Sequence, residues 1–175
     1  MGKDNGQLGY VIWLSFVAAL GGFLFGYDTA VISGTVDQVA SQFSLDDFGK
    51  GWYVGCALVG SIGGVVIAGP LSDKYGRKIV LLLSAILFSA SGVGCMVASD
   101  QTMLILSRIV GGVGIGVASV ISPLYIAEIS VPRYRGQLVS LYQLAITIGF
   151  LGAYLANFGL QNYSESLIQS GATTG

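Results

Sequence analysis

Histidine is absent from the 175 residues, which excludes any histidine-ligated metal site and any imidazole proton relay. The two cysteines, Cys56 and Cys95, both fall within apolar runs, where a structural disulfide is not expected. Charge is scarce as well. Asp, Glu, Lys and Arg together make up 10% of the chain, against about 25% in an ordinary soluble domain. Hydrophobic residues make up 53% and mean hydropathy is +0.75, so water is the wrong solvent for this sequence. No nucleophile stands beside a base and no cluster of metal ligands recurs, so no enzyme activity and no cofactor are expected. The net charge of −1 says little by itself, and no nucleic-acid partner is expected. The N-terminus lacks the layout of a signal peptide, since the apolar run after Lys3 continues well beyond Ala18 and Ala19. Met1 to Gly6 also lacks the Ser or Thr that myristoylation prefers.

Long uncharged runs take the place of all this. A bilayer-spanning helix needs about 17–25 apolar residues, and five such stretches can be read, at about 8–34, 51–71, 79–99, 101–127 and 136–157. The sequence therefore predicts an all-α membrane protein with a transmembrane bundle over residues 1–160. Residues 161–175 read as an extracytoplasmic tail, a loop left without a further helix. Lys3, Lys74, Arg77, Lys78, Arg133 and Arg135 fall on the N-terminal side of the membrane, and only Lys50 falls on the other. That asymmetry predicts a cytoplasmic N-terminus in a multi-pass protein of the cell membrane. Tyr10, Trp13, Trp52 and Tyr53 suit either an interfacial aromatic belt or internal packing.

Two charges lie inside the apolar runs, Asp28 and Arg108. An ionisable group in hydrocarbon is expensive and rarely persists without a partner and a role. If Thr35 and Gln101 end their helices, each charge lies seven residues in, about 10 Å below the same face at 1.5 Å per residue. A carboxylate opposite a guanidinium is thus the first candidate for function, with a permanent structural ion pair as its plain alternative.

Most of the 27 glycines sit inside the spans. Gly22 and Gly26, Gly51 and Gly55, Gly60 and Gly64, and Gly112 and Gly116 share GxxxG spacing, which lets helix backbones approach closely. The run Gly111 to Gly116 superficially resembles a dinucleotide loop, but it follows no strand and opens no βαβ unit. Two short turns concentrate charge on one side. In Gly69 to Lys78, Pro70 and Gly76 suit a tight reversal beside Asp73, Lys74, Arg77 and Lys78. Glu128 to Gly136 again mixes an acid with two arginines, Arg133 and Arg135, so the pair of turns suits an ion-pair network.

Four segments, in order, resemble the major facilitator superfamily and, within it, the sugar porter family. Gly22-Phe-Leu-Phe-Gly-Tyr-Asp-Thr-Ala-Val-Ile-Ser-Gly34 is similar to that family's first-helix signature. Gly69 to Lys78 resembles the superfamily's loop between helices two and three. Arg108 to Gly116, leading into Pro123-Leu-Tyr-Ile-Ala-Glu128 and Arg135-Gly136, resembles the fourth helix and its exit. Gln143 to Gly149 resembles the start of the fifth.

The resemblance implies a partial N-terminal six-helix bundle of the major facilitator fold, with about five helices present. It implies part of a proton-coupled monosaccharide symporter working by alternating access, with the proton as coupling ion. A passive sugar or polyol facilitator, and a truncated membrane protein that transports nothing, stay open beside it. Asp28 then corresponds to the coupling carboxylate and Arg108 to its partner. Gln143, supported by Ile146, corresponds to a sugar-binding position, and Phe25 to an aromatic wall of the site. Asp73, Arg77, Glu128 and Arg135 correspond to a cytoplasmic charge network that holds the inner side closed. The implied partners are a monosaccharide, the lipid bilayer and the second half of the transporter.

Overall fold

The computed structural model describes residues 2–172 and consists of five α-helices. They are α1 (Gly2–Phe43), α2 (Asp47–Tyr75), α3 (Arg77–Val97), α4 (Gln101–Ile129) and α5 (Arg135–Ala172). All five contain stretches long and apolar enough to cross a bilayer, and no strand occurs among the described residues. The all-α expectation holds for a physical reason. With no water to satisfy backbone N–H and C=O groups, a lone spanning segment must bond within itself.

The ends of the helices depart from the sequence reading. α1 runs on past Gly34 and Thr35 to Phe43 and stops only where Ser44 takes φ 50°. Asp46 then caps α2, its Oδ1 accepting from the backbone N–H of Gly49 at 2.8 Å. Thr35, Asp37 and Gln38 are polar but still helix-compatible, so polarity marks the edge of the apolar run without ending the helix. The tail expected at 161–175 is helical through Ala172, as a continuation of α5; residues 173–175 lie outside the described part. Pro70 makes no turn either. It sits inside α2, and the reversal into α3 is made by Gly76 alone, at φ +83°. An L side chain rarely adopts that conformation, so glycine is required there.

The helices alternate in direction. Gly22 and Gly26 of α1 lie on the carbonyls of Tyr142 and Ile146, so α1 and α5 run parallel. Gly60 and Gly64 of α2 lie against Ile109 and Val113 of α4, again in parallel. Gly112 and Gly116 of α4 answer them on the carbonyls of Ala57 and Ser61. Ser91 of α3 meets Gly111 and Gly94 meets Ser107, so α3 runs antiparallel to α4. The α2–α4 seam is therefore backbone against backbone, with glycines contributed from both sides. Gly51 and Gly55, at the same spacing, have open space around them. Spacing identifies the motif; only the fold says whether a partner stands opposite.

Of the five spans α4 is the most buried, at 44% of its apolar window, and α3 the least, at 17%. Three clusters pack around it. Ala18, Ala19, Ile126, Leu138 and Tyr142 join α1, α4 and α5. Ala68, Val80, Val117 and Ile121 join α2, α3 and α4, while Ile32, Tyr53 and Leu104 close the opposite end. Outside the seams α2 exposes Leu58, Ile62 and Val66, one row at four-residue spacing, as a lipid-facing surface requires.

Candidate proton and substrate site

Asp28 enters the bundle on α1 and Arg108 on α4, where the two helices cross in opposite directions. Arg108 donates through Nη2 to Asp28 Oδ2 at 3.3 Å. The guanidinium side chain is 9% exposed and the carboxylate 18%. Part of the depth argument fails, because α1 ends at Phe43 rather than Thr35. The pairing survives because crossing helices, not equal counts from their ends, set the level at which side chains meet. Ion pairs this dry are costly to break one-sidedly, since the charge left behind has no water.

A third residue joins the pair. The Arg108 guanidinium stands over the Tyr53 ring at 5.5 Å, within the reach of a cation–π interaction. Tyr53 is buried, whereas Tyr10, Trp13 and Trp52 are exposed. The four aromatics therefore divide, and Tyr53 is the neighbour of the ion pair that sequence reading missed. Its one signal was the spacing to Cys56, Ala57 and Gly60, the buried stripe of α2. Arg108 Nε finds no acceptor among the described residues.

The residues implied in sugar binding lie on α1 and α5. Gly26 lies on the Ile146 carbonyl, which brings Phe25 on α1 level with Ile146 on α5, and Gln143 one turn below. Phe25 and Ile146 are half-buried, and Gln143 is exposed. Gln143 makes no side-chain hydrogen bond among the described residues, leaving both its donor and its acceptor free for hydroxyl groups. Thr29 Oγ1 donates to the Phe25 carbonyl at 2.8 Å. Farther along, Asn157 Nδ2 donates to the Ala30 carbonyl at 3.4 Å, tying α5 to α1 beside Asp28.

The charge network forms in part. Arg77 donates through Nη1 to Asp73 at 3.0 Å and to the Ser72 carbonyl at 3.1 Å, and through Nε to both oxygens of Glu128 at 3.1 Å. One arginine thus ties the end of α2 to the end of α4 at the start of α3. Arg135 does not join it: it opens α5, is exposed, and forms no ion pair among the described residues. The turn at Val131–Tyr134, closed by a 2.9 Å hydrogen bond, separates it from Glu128. Since these groups are half-exposed, Arg77→Gln should lower thermal stability only slightly, and by less as salt is raised. Melting curves at low and high salt check this.

A bundle of five membrane-length helices with a buried ion pair across two spans belongs to the multi-pass membrane proteins. Comparison with known proteins narrows this. The family model described as "Sugar (and other) transporter" matches residues 14–171, and the chain belongs to that family, whose members are transporters rather than enzymes. It is similar to the arabinose-proton symporter of Bacillus subtilis, at 42% identity over 155 residues, covering 89% of this chain and 33% of the relative. The glucose transport protein of Synechocystis is 46% identical over 156 residues, with the same coverage of both chains. Among solved structures, the proton:xylose symporter XylE bound to 6-bromo-6-deoxy-D-glucose superposes with TM-score 0.82 at 37% identity, covering 88% of this chain and 38% of that one. The five-helix reading as part of the major facilitator fold is borne out. The chain spans about a third of the length of the curated relatives it matches.

Proposed function

We propose that this chain forms the proton-coupling part of a monosaccharide symporter. Asp28 carries the proton, Arg108 holds the carboxylate when the proton has left, and Phe25, Gln143 and Ile146 provide one wall of the sugar site. The observation that carries the reading is the 3.3 Å Asp28–Arg108 pair buried across α1 and α4 within a turn or two of those residues. A proton on Asp28 removes the charge that binds it to Arg108, so proton uptake loosens the contact between two helices that flank the sugar wall. Alternating access in such folds is rocking of two bundles around a shared midplane site. The second bundle, the sugar it selects with this one, and a cytoplasmic N-terminus belong to the same proposal. So does the closure of the inner side by Asp73, Arg77 and Glu128, with Arg135 as a further basic group at that surface. The positive-inside asymmetry supports the orientation.

The test is a graft. Residues 14–171 replace the matching third of the arabinose-proton symporter, and labelled pentose and hexose uptake is followed in proteoliposomes under an imposed pH gradient. Accumulation above equilibrium is expected, and entry that stops at equilibrium overturns proton coupling. In the same graft Gln143→Leu is expected to raise KM about tenfold, the loss of ~1.4 kcal/mol in hydrogen bonding to sugar hydroxyls. Concentration-dependent uptake reads this directly, and an unchanged KM removes Gln143 from the site.

A further inference from the structure

Beyond the ion pair, the question is what holds Arg108 once Asp28 has taken a proton. The guanidinium stays inside the bundle at 9% exposure, because α4 is its most buried helix. Asp28 is its one carboxylate partner among the described residues, and its Nε is already without an acceptor. The groups around it can be named helix by helix. α1 supplies Asp28, with Tyr27 turned toward Phe23 at 6.0 Å between rings. α2 supplies Tyr53 and Cys56, and α3 supplies Cys95. α5 presents Ile146, Gly149 and Asn157 to α1 and brings no charged side chain to this level. Of these, the electron-rich face of the Tyr53 ring, 5.5 Å from the guanidinium carbon, is the stronger hold on an unpaired cation, the Cys56 sulfur being only a weak acceptor.

We propose that Tyr53 is a positioning residue of the proton site, holding Arg108 while Asp28 is protonated; this rests on the reading of Asp28 as the proton carrier. The ring attracts a free cation more than one whose field a carboxylate already cancels. It therefore favours the protonated state of Asp28 over the charged one. Its anchorage supports the role. Tyr53 is itself buried among Ile32 and Leu104, and its carbonyl accepts from the Cys56 thiol at 3.2 Å. The ring consequently cannot leave when the carboxylate is neutralised. What matters is the face of the ring; the hydroxyl plays no part.

The experiment titrates Asp28 in the full 175-residue chain reconstituted in liposomes. The infrared carbonyl band of its protonated carboxyl is identified by its loss in Asp28→Asn. Tyr53→Phe keeps the ring face and should leave the midpoint at the parent value. Replacing Tyr53 with fluoro-, trifluoro- and pentafluorophenylalanine keeps the ring's shape while draining its face. The midpoint should then fall stepwise, by about half to one pH unit across the series. Because these rings are close in size, packing alone does not produce a graded shift. A midpoint that stays level across the series overturns the role of Tyr53 while leaving Asp28 as the proton carrier. A parent band that never titrates overturns both, and uphill uptake by the grafted symporter carrying Asp28→Asn overturns the carrier alone.

Discussion

Asp28→Asn in the grafted symporter is expected to reduce sugar accumulation to a concentration ratio of about one while exchange of sugar across the membrane continues, as for a carrier whose only proton site is lost. A gradient of one pH unit supplies about 1.4 kcal/mol per proton, enough for about tenfold accumulation at one proton per sugar. Asparagine keeps the shape of Asp28, and its carbonyl can still accept from Arg108 Nη2, so the α1–α4 crossing stays closed by a hydrogen bond. It cannot bind or release a proton in the working range. The site wall of Phe25, Gln143 and Ile146 is untouched, which is why exchange should survive. Counterflow and gradient-driven uptake, measured on the same vesicles, separate the two. Undiminished uphill transport by the variant would remove Asp28 from the coupling step.

Gly112→Leu is expected to prevent folding of the bundle. A side chain at Gly112 meets the backbone of Ala57, and the seam has no flexible neighbour to yield. Overpacking of an ordinary core costs about 1–3 kcal/mol, relieved by shifts of side chains. Here the obstacle is main chain, held again at Gly60, Gly64 and Gly116, so the cost should exceed about 3 kcal/mol, the range of severe single substitutions. Gly55→Leu supplies the control, because open space surrounds that position on α2, the other helix of the seam. Detergent-solubilised melting and monodispersity should be lost for Gly112→Leu and kept for Gly55→Leu. Equal behaviour of the two would mean that the α2–α4 seam is not held by its glycines.

How far the sequence could be read depended on whether a residue's environment is written in its own neighbourhood. Asp28 and Arg108 were legible because a charge in an apolar run demands a partner, and each was the other's available one. The family motifs carried the fold to five helices in order. Tyr53 was ambiguous, since Trp52 and Tyr53 side by side look interfacial; the helix turns one outward and the other beneath Arg108. Glycine spacing singled out the seams of α1, α2 and α4 yet also Gly51 and Gly55, which face nothing. Helix lengths were the least legible, because Thr35 to Gln42 and Gln161 to Ser170 are polar without being helix-breaking. The family motif groups Arg135 with Glu128, and the turn that keeps the two apart here has no signal in that motif.

The lone residue between α2 and α3 also bears on biosynthesis. With only Gly76 linking them, the end of α2 and the start of α3 cannot separate. A pair so tightly tied suits entry as one hairpin. Asp73, Lys74, Arg77 and Lys78 crowd within six positions of that bend, and charges so placed resist being carried through hydrocarbon. Such charges suit a tip that stays on one side of the bilayer. In the folded bundle the place of α4 on that hairpin is then set by Gly60 and Gly64 of α2.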